Sequence, residues 1–180
     1  MPAWMKRDNC MIFVTVGTQK FQLNRLLEKL DDLIEQGNLT ETVFAQVGYS
    51  DYKPRNYGYV AFLNQDEMDS YILEADIIIT HSGLGTIDQA TKLGKRVIVF
   101  PRKKRFGEHI DNHQIEIADA FEEMNMVIKC DSEDELLVAI DKARTYEFDE
   151  NDSVDSADAL GEIVSGLLKQ YEEEINFGRK

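Results

Sequence analysis

The sequence predicts a doubly wound α/β fold, a Rossmann-like parallel sheet with helices on both faces, and three features carry that prediction. Its strand-like runs are short and continuously apolar, as in Ile77-Ile78-Ile79 and Val97-Ile98-Val99, the pattern of strands buried on both sides. Segments of helical spacing separate these runs, so that strand and helix alternate along the chain. Several of the runs stop at glycine or proline, as at Gly17, Gly48 and Pro101.

Taken in order, residues 1–10, with Pro2, Lys6, Arg7 and Asp8, show no periodicity and read as a loose extension. Met11 to Val16 is a β-branched apolar run ending in Gly17-Thr18, and Leu23, Leu26, Leu27, Leu30, Leu33 and Ile34 follow at helical spacing. Gly37-Asn38 ends that helix, Val43 to Val47 is a second strand, and Gly48 to Gly58, with Pro54, is a loop. Tyr59 to Leu63 is read as a further strand, Asp66 to Ala75 as a helix and Asp76 to Thr80 as a buried strand. A helix over Leu84 to Leu93 closes at Gly94, and a strand over Arg96 to Phe100 closes at Pro101. The expected core ends with a helix over Ile115 to Met124, a strand over Met126 to Lys129, and a helix over Ser132 to Ala143 with acidic residues near its positive end.

This assigns one folded domain to residues 11–145 and leaves 146–180 as an acidic linker, Glu147 to Asp152, followed by an amphipathic helix. In that helix Leu160, Ile163, Val164, Leu167, Leu168 and Tyr171 form one apolar stripe. Two readings stand for the stripe: packing on the chain's own sheet, or docking on a partner.

At 180 residues the chain is long enough for one well-buried core. A formal net charge of −14 disfavours nucleic acid as a partner, and also adhesion to anionic lipid, because both need a basic surface. The apolar runs fall far short of the ~20 residues that cross a bilayer, and no signal-peptide core is present. A soluble, intracellular protein is expected. Cys10 and Cys130 have neither disulfide-framework nor metal-ligand spacing and are read as spectators.

Chemistry concentrates in one stretch. All three histidines, His81, His109 and His113, fall between Thr80 and Gln114. There the loop His81-Ser82-Gly83-Leu84-Gly85-Thr86 leaves a strand and opens a helix, a geometry that aims unpaired N–H groups and a helix dipole at one point. Gly83 and Gly85 would admit a phosphate close to the backbone, and Ser82 and Thr86 add hydroxyls. Glycines in this position also serve as ordinary turn residues. Because ligands bind beyond the carboxyl ends of parallel strands, Gly17-Thr18, the His81 loop and the loop after Pro101 should line one cleft. Arg102, Lys103, Lys104 and Arg105 stand out in an acidic chain, and Arg102, nearest the strand end, is the preferred anion ligand. Glu108, Asp111, Asn112, His113 and Gln114 offer donors and acceptors suited to sugar hydroxyls, with Asp111 or Asn112 also a candidate helix cap. His109 and His113 have i,i+4 spacing but no third ligand in sequence reach, so no metal site is expected.

These residues carry a resemblance. Asp76 to Phe121 resembles the C-terminal, nucleotide-sugar-binding half of glycosyltransferase family 28. Ile12 to Thr18 with Phe21, Arg25 and Leu26, taken with Gly107-Glu108-His109, Asp111 and His113-Gln114, is similar to the bacterial exopolysaccharide PssE-type subunits. A likeness also extends to the catalytic subunit of the eukaryotic two-subunit UDP-GlcNAc transferase. The resemblance implies one half of a GT-B enzyme, with residues 11–145 as the nucleotide-sugar-binding domain. It implies a UDP-sugar as substrate, no cofactor, a membrane-anchored acceptor-binding subunit as partner and a lipid-linked saccharide as acceptor. The location implied is cytoplasmic, at the inner face of a membrane, and the reaction an inverting transfer of galactose or N-acetylglucosamine in surface polysaccharide or glycolipid synthesis, active only with the partner.

Carried over by motif, His81, Ser82, Gly83, Gly85 and Thr86 would hold the diphosphate, and Asn112, His113 and Gln114 would read the sugar; Gly17, Thr18, Arg102 and Glu108 join the donor-binding set from their expected places on the cleft. Gln89 departs from the pattern, which has a Glu there to accept from the ribose hydroxyls; an amide keeps an acceptor oxygen but loses charge assistance. The catalytic base stays unassigned, with a partner residue, His113 and Glu108 all open. A non-catalytic enhancer subunit is the alternative function. A dinucleotide-dependent oxidoreductase is disfavoured because the glycine loop follows a late strand, not the first.

Overall fold

The computed structural model describes residues 10–145 and Gly166. Six strands, β1 (Met11–Thr15), β2 (Thr42–Gln46), β3 (Gly58–Val60), β4 (Ile77–Thr80), β5 (Arg96–Val99) and β6 (Ile128–Lys129), form one sheet. Its order is β3-β2-β1-β4-β5-β6, and every neighbouring pair is parallel. Five helices connect or follow them: α1 (Asn24–Glu35), α2 (Gln65–Glu74), α3 (Leu84–Lys92), α4 (His113–Glu123) and α5 (Leu136–Thr145). This is the doubly wound Rossmann order, with the direction of winding reversing between β1 and β4.

Strand alternation divides the core into two layers. Ile12, Val14 and Val16 of the first strand point to a cluster shared with Leu26, Leu27 and Leu30 of α1 and with Leu136, Ala139 and Ile140 of α5. Phe13 points the other way, where Tyr71 of α2 stacks on it at 5.3 Å between ring centroids and on Phe44 at 4.3 Å. The buried residues of α3 and α4, Ile87, Ala90, Ile117, Ala118 and Phe121, lie outside the α1/α5 cluster. At about 25 cal/mol per Å² of apolar surface, these two layers are the main source of stability.

Several element boundaries shift by one residue from expectation, β6 covers only Ile128–Lys129 of the expected 126–129, and three further differences have a structural consequence. Strand β3 is Gly58–Val60 rather than 59–63, since Leu63 N leaves the ladder to donate to Gln46 Oε1 at 2.9 Å. Helix α4 begins at His113, two residues early. A 3-10 turn over Glu133–Glu135 precedes α5, so the acidic residues expected in that helix stand just before it. The linker and amphipathic helix expected over 146–180 lie outside the described residues apart from Gly166, which is helical.

One connection needs a special anchor. Parallel strands β2 and β3 are joined by residues 47–57 with no crossover helix, and the loop must be tied down by polar contacts instead. Asp31 of α1 does this from a fully buried position: its carboxylate accepts from Tyr52 Oη at 2.6 Å, Arg55 N at 2.7 Å and Asn56 N at 2.8 Å. Ser50 Oγ accepts from Leu23 N, and Tyr57 Oη donates to Leu27 O.

Burial opposes the charge on Asp31, but the bonds from Tyr52, Arg55 and Asn56 outweigh it and hold the carboxyl below its ordinary value. Stability from this group is therefore present above the unfolded carboxylate range, near 3.9, and is lost as pH falls through the depressed folded value. Asp31→Ala should destabilise the fold by roughly 2–4 kcal/mol at neutral pH, by leaving buried donors unpaired. Urea titration at pH 7 and again below pH 4 checks this: the gap between the two proteins should narrow in acid.

Candidate functional site

The parallel sheet puts the carboxyl ends of β1, β4 and β5 side by side, with Thr15 opposite Thr80 and Thr80 opposite Val99. The loops that follow meet on one edge, as the strand order requires. Two of them are tied across the third. His109 Nδ1 lies 2.8 Å from Asp111 Oδ1, and its Nε2 lies 3.2 Å from Gln19 Oε1 in the loop after β1. Gln22 Nε2 donates to Phe106 O at 3.1 Å, and Phe21 packs on the His109 ring at 5.2 Å.

Beneath this bridge sits His81. A Cβ added to Gly17 would stand 2.4 Å from His81 Cε1, and one added to Gly83 would stand 2.6 Å from the same atom. The imidazole is therefore held between two glycine backbones, and Gly17 also carries a φ of +77° that side chains rarely adopt. Burial, reinforced by the charge of Arg102, pushes the His81 pKa down to about 3. At neutral pH the ring is uncharged, with one N–H donor and one acceptor nitrogen.

Next to His81, α3 begins at Leu84 with Gly83 at its N-cap and, among the described residues, no side-chain capping bond. Those N–H groups and the positive end of the helix dipole point to the cleft side of the loop. A Cβ on Gly85 would meet open space, so this glycine keeps the helix start bare, while Gly17 and Gly83 make room for His81. Thr86 lies in the first turn of α3, and Thr18 is exposed on the loop after β1.

Three side chains expected as ligands are spent inside the fold. Ser82 is buried, and its hydroxyl donates to the backbone carbonyl of Gln114, tying the α3 loop to α4. Glu108 is 1% exposed and accepts from Arg25 Nε at 2.6 Å, Arg25 Nη2 at 3.1 Å and Lys103 N at 2.8 Å. Its carboxylate is therefore a fastener between α1 and the loop after β5, a correction to its expected place among sugar-reading groups. Arg102 is fully buried: Nη2 donates to Val16 O, Nη1 donates to Glu108 O at 3.4 Å, and Nε is without a partner. Burial lowers its pKa to about 10 against the opposing pull of Glu108, so it stays a cation, set beneath the cleft rather than on its wall.

Gln114 is also largely enclosed, its Oε1 accepting from Arg102 N at 3.1 Å. Asn112 is exposed at the start of α4, with Oδ1 accepting from Lys104 N at 3.1 Å. The capping question resolves to Asp111, whose Oδ1 accepts from His113 N at 3.1 Å. His113 Nδ1 lies 3.2 Å from Glu116 Oε2. Gln89, on the second turn of α3, donates from Nε2 to Asp69 Oδ1 at 2.7 Å. Among the described residues no group of three or more His, Cys, Asp or Glu side chains is placed to hold a metal ion.

The basic run divides likewise. Lys103 is buried and bonds Asp131, whereas Lys104 and Arg105 are exposed. A bare helix N-terminus, a neutral imidazole and a buried guanidinium on one edge form an anion-binding arrangement.

Residues 11–162 match the model of the glycosyltransferase family 28 C-terminal domain. The chain belongs to that family. The family 28 domain is 35% identical over 77 residues to the UDP-N-acetylglucosamine transferase subunit ALG13 of Candida albicans, covering 43% of this chain and 25% of that protein. It is 32% identical over 120 residues to the subunit of the same name from Debaryomyces hansenii, covering 67% of this chain and 47% of that protein. The domain thus spans between a quarter and a half of the length of these relatives. Among solved structures, Acinetobacter baumannii MurG superposes with a TM-score of 0.58 at 18% identity, over 92% of this chain and 51% of that one. The glycosyltransferase SnogD from Streptomyces nogalater gives 0.59 at 17%, over 90% and 42%. The shared fold is the Rossmann-like half of a GT-B enzyme.

Sequence reasoning missed two parts of this site. Asp69 lies among the polar residues at the start of α2, and only the packing of that helix beside α3 brings it to Gln89. Arg25 is one of the motif residues, but its bidentate pairing with Glu108, 83 residues along the chain, leaves no mark in the sequence.

Between about pH 3 and 6.5 the unfolded chain binds a proton at His81 that the folded chain refuses, so this group costs stability as pH falls through that window. His81 ring resonances should stay flat from pH 8 to 5. In Gly83→Ala the methyl group expels the ring, and titration near the ordinary value should appear in the same NMR series.

Proposed function

We propose that the chain is the donor-binding subunit of a two-component inverting glycosyltransferase, moving a hexose or N-acetylhexosamine from UDP to a lipid-linked saccharide. The observation that carries this reading is the bare N-terminus of α3 beside the uncharged His81 ring, on the carboxyl edge of the sheet. The family adds the reaction class, and the names of the two relatives from Candida albicans and Debaryomyces hansenii favour N-acetylglucosamine over galactose. Their description as subunits supports a second chain that brings the acceptor. A cytoplasmic location, at a membrane face where that chain is anchored, is part of the same proposal.

In this reading the first-turn amides of α3 and one N–H of His81 donate to the diphosphate, with Gly17, Thr18, Gly83, Gly85 and Thr86 lining its seat. As the bond from the anomeric carbon to the diphosphate breaks, negative charge grows on the leaving UDP, and these fixed donors stabilise it without reorganising. Arg102 adds a buried positive charge below. Gln89 faces the ribose, and Asn112 and His113 at the start of α4 meet the sugar, with Gln114 holding the loop behind them. The proton of the acceptor hydroxyl passes to a base on the acceptor side. Glu108 does not fill that role, because its oxygens are engaged by Arg25 and Lys103 N.

Titration calorimetry should show UDP and UDP-N-acetylglucosamine binding to the chain, UDP-galactose binding more weakly, and no binding of NAD. His81→Ala should weaken UDP by about tenfold, the range of one lost hydrogen bond to a charged acceptor. Unchanged affinity in that variant, or no UDP binding by the unaltered chain, would overturn the donor-site reading. Transfer that appears only on co-expression with an acceptor subunit, and vanishes with His81→Ala, would set the catalytic role apart from that of a passive enhancer.

A further inference from the structure

We infer that Asp69 is a positioning residue that orients the Gln89 amide, so that its oxygen, and not its nitrogen, is offered to the ribose hydroxyls of the donor. The inference rests on the donor-site reading given above and names a second residue, on a different helix, that this reading needs.

The chemistry of the contact decides the orientation. Asp69 Oδ1 receives two amide nitrogens, Gln89 Nε2 at 2.7 Å from α3 and Gln65 Nε2 at 2.7 Å from the preceding turn of α2. An ionised carboxylate only accepts, so each amide must present its NH2 group to it. The Gln89 carbonyl oxygen then faces away from Asp69. A side chain that could offer either a donor or an acceptor is thereby made an acceptor.

Position makes that acceptor useful. Gln89 lies four residues beyond Gly85 on α3, one helical turn from the bare first-turn amides and on the same face. One turn is about 5.4 Å, the scale of the step from a nucleoside diphosphate's phosphates to its ribose. Both ribose hydroxyls can donate, and an acceptor there rewards their presence. Gln65, bonding the same oxygen from the other side, limits the freedom of Asp69 to turn away. The negative charge of Asp69 also polarises the Gln89 amide through its N–H, which returns part of the charge assistance that an amide lacks beside a carboxylate.

The test compares UDP with its 2′,3′-dideoxy analogue by calorimetry on four proteins. The unaltered chain should prefer UDP by about tenfold. In Asp69→Asn the partner can no longer dictate which end of the Gln89 amide it receives, and the preference should fall to about twofold or less. Gln89→Glu alone sets two carboxylates at hydrogen-bond distance and should also weaken UDP. The double variant Asp69→Asn/Gln89→Glu lets the new amide donate to the new carboxylate, and hydroxyl preference should return to the original level or above it.

Melting temperatures of the four should agree within a few degrees, since Asp69 and Gln89 are only part-buried. An undiminished preference in Asp69→Asn, or no rescue in the double variant, overturns the inference while leaving UDP binding, and so the donor site, intact. Absence of UDP binding by the unaltered chain overturns both.

Discussion

The guanidinium of Arg25 settles where the loop after β5 lies, and through that loop the shape of the whole carboxyl edge. It donates to both oxygens of Glu108 and to Pro101 O, approaches Glu133 at 3.4 Å, and stacks over Phe100 at 4.1 Å from the ring centroid. The pair is almost entirely out of water, with side-chain exposures of 11% and 1%. Desolvating two such charges costs several kcal/mol each, and only bidentate geometry with further bonds to every remaining donor offsets it. The net contribution to stability is consequently small, but breaking one side would strand a buried charge at a cost of roughly 3–5 kcal/mol. What the arrangement supplies is a fixed position for residues 101–112. Arg102, Asn112 and the start of α4 inherit their places from it.

A second constraint follows from the first. With the loop after β5 held close and His109 reaching Gln19, the edge above β4 is partly roofed, and His81 lies in a space from which water is excluded. Desolvation there dominates over any hydrogen bond that would favour the imidazolium. A charged histidine would bind a diphosphate more strongly, but it would also have to be desolvated on folding beside the Arg102 cation. In the proposed donor site the two tasks are separated. Arg102 carries permanent charge, stabilised by Val16 O and Glu108 O, and His81 carries a directed but uncharged donor.

Much of the architecture was legible in the residues. Continuous apolar runs in Ile77-Ile78-Ile79 and Val97-Ile98-Val99 mark strands buried on both faces whatever their neighbours, so sheet type and element order follow from pattern alone. The crowding of chemistry between Thr80 and Gln114 was equally visible, and the structure gathers those segments on one edge. The use of each lone pair was not visible. Ser82, Glu108 and Arg102 have the composition of ligands, yet each bonds to partners between 5 and 86 residues away, and spacing carries no record of such pairings. The slip at β3 has the same origin: Tyr59 to Leu63 is apolar enough for a strand, but Leu63 N goes to the side chain of Gln46. Local propensity yields wherever a tertiary partner offers a better bond.

The acidity of the chain bears on how an anion can bind it at all. A formal charge of −14 repels a nucleoside diphosphate at long range. At physiological ionic strength, however, that repulsion is screened over about 8 Å, so the surface charge acts mainly on the rate of approach. Inside the cleft the balance reverses. The α3 terminus contributes roughly half a positive charge, fixed in direction, and Arg102 adds a full one within the protein interior, where attraction is several times stronger than in water. Lys103 is neutralised by Asp131 and adds little. In the proposed donor site, selectivity for a diphosphate over other anions would come from geometry: a short ligand would not reach both the α3 amides and Gln89 one turn beyond, and a ligand without adjacent hydroxyls would leave the Gln89 oxygen unanswered.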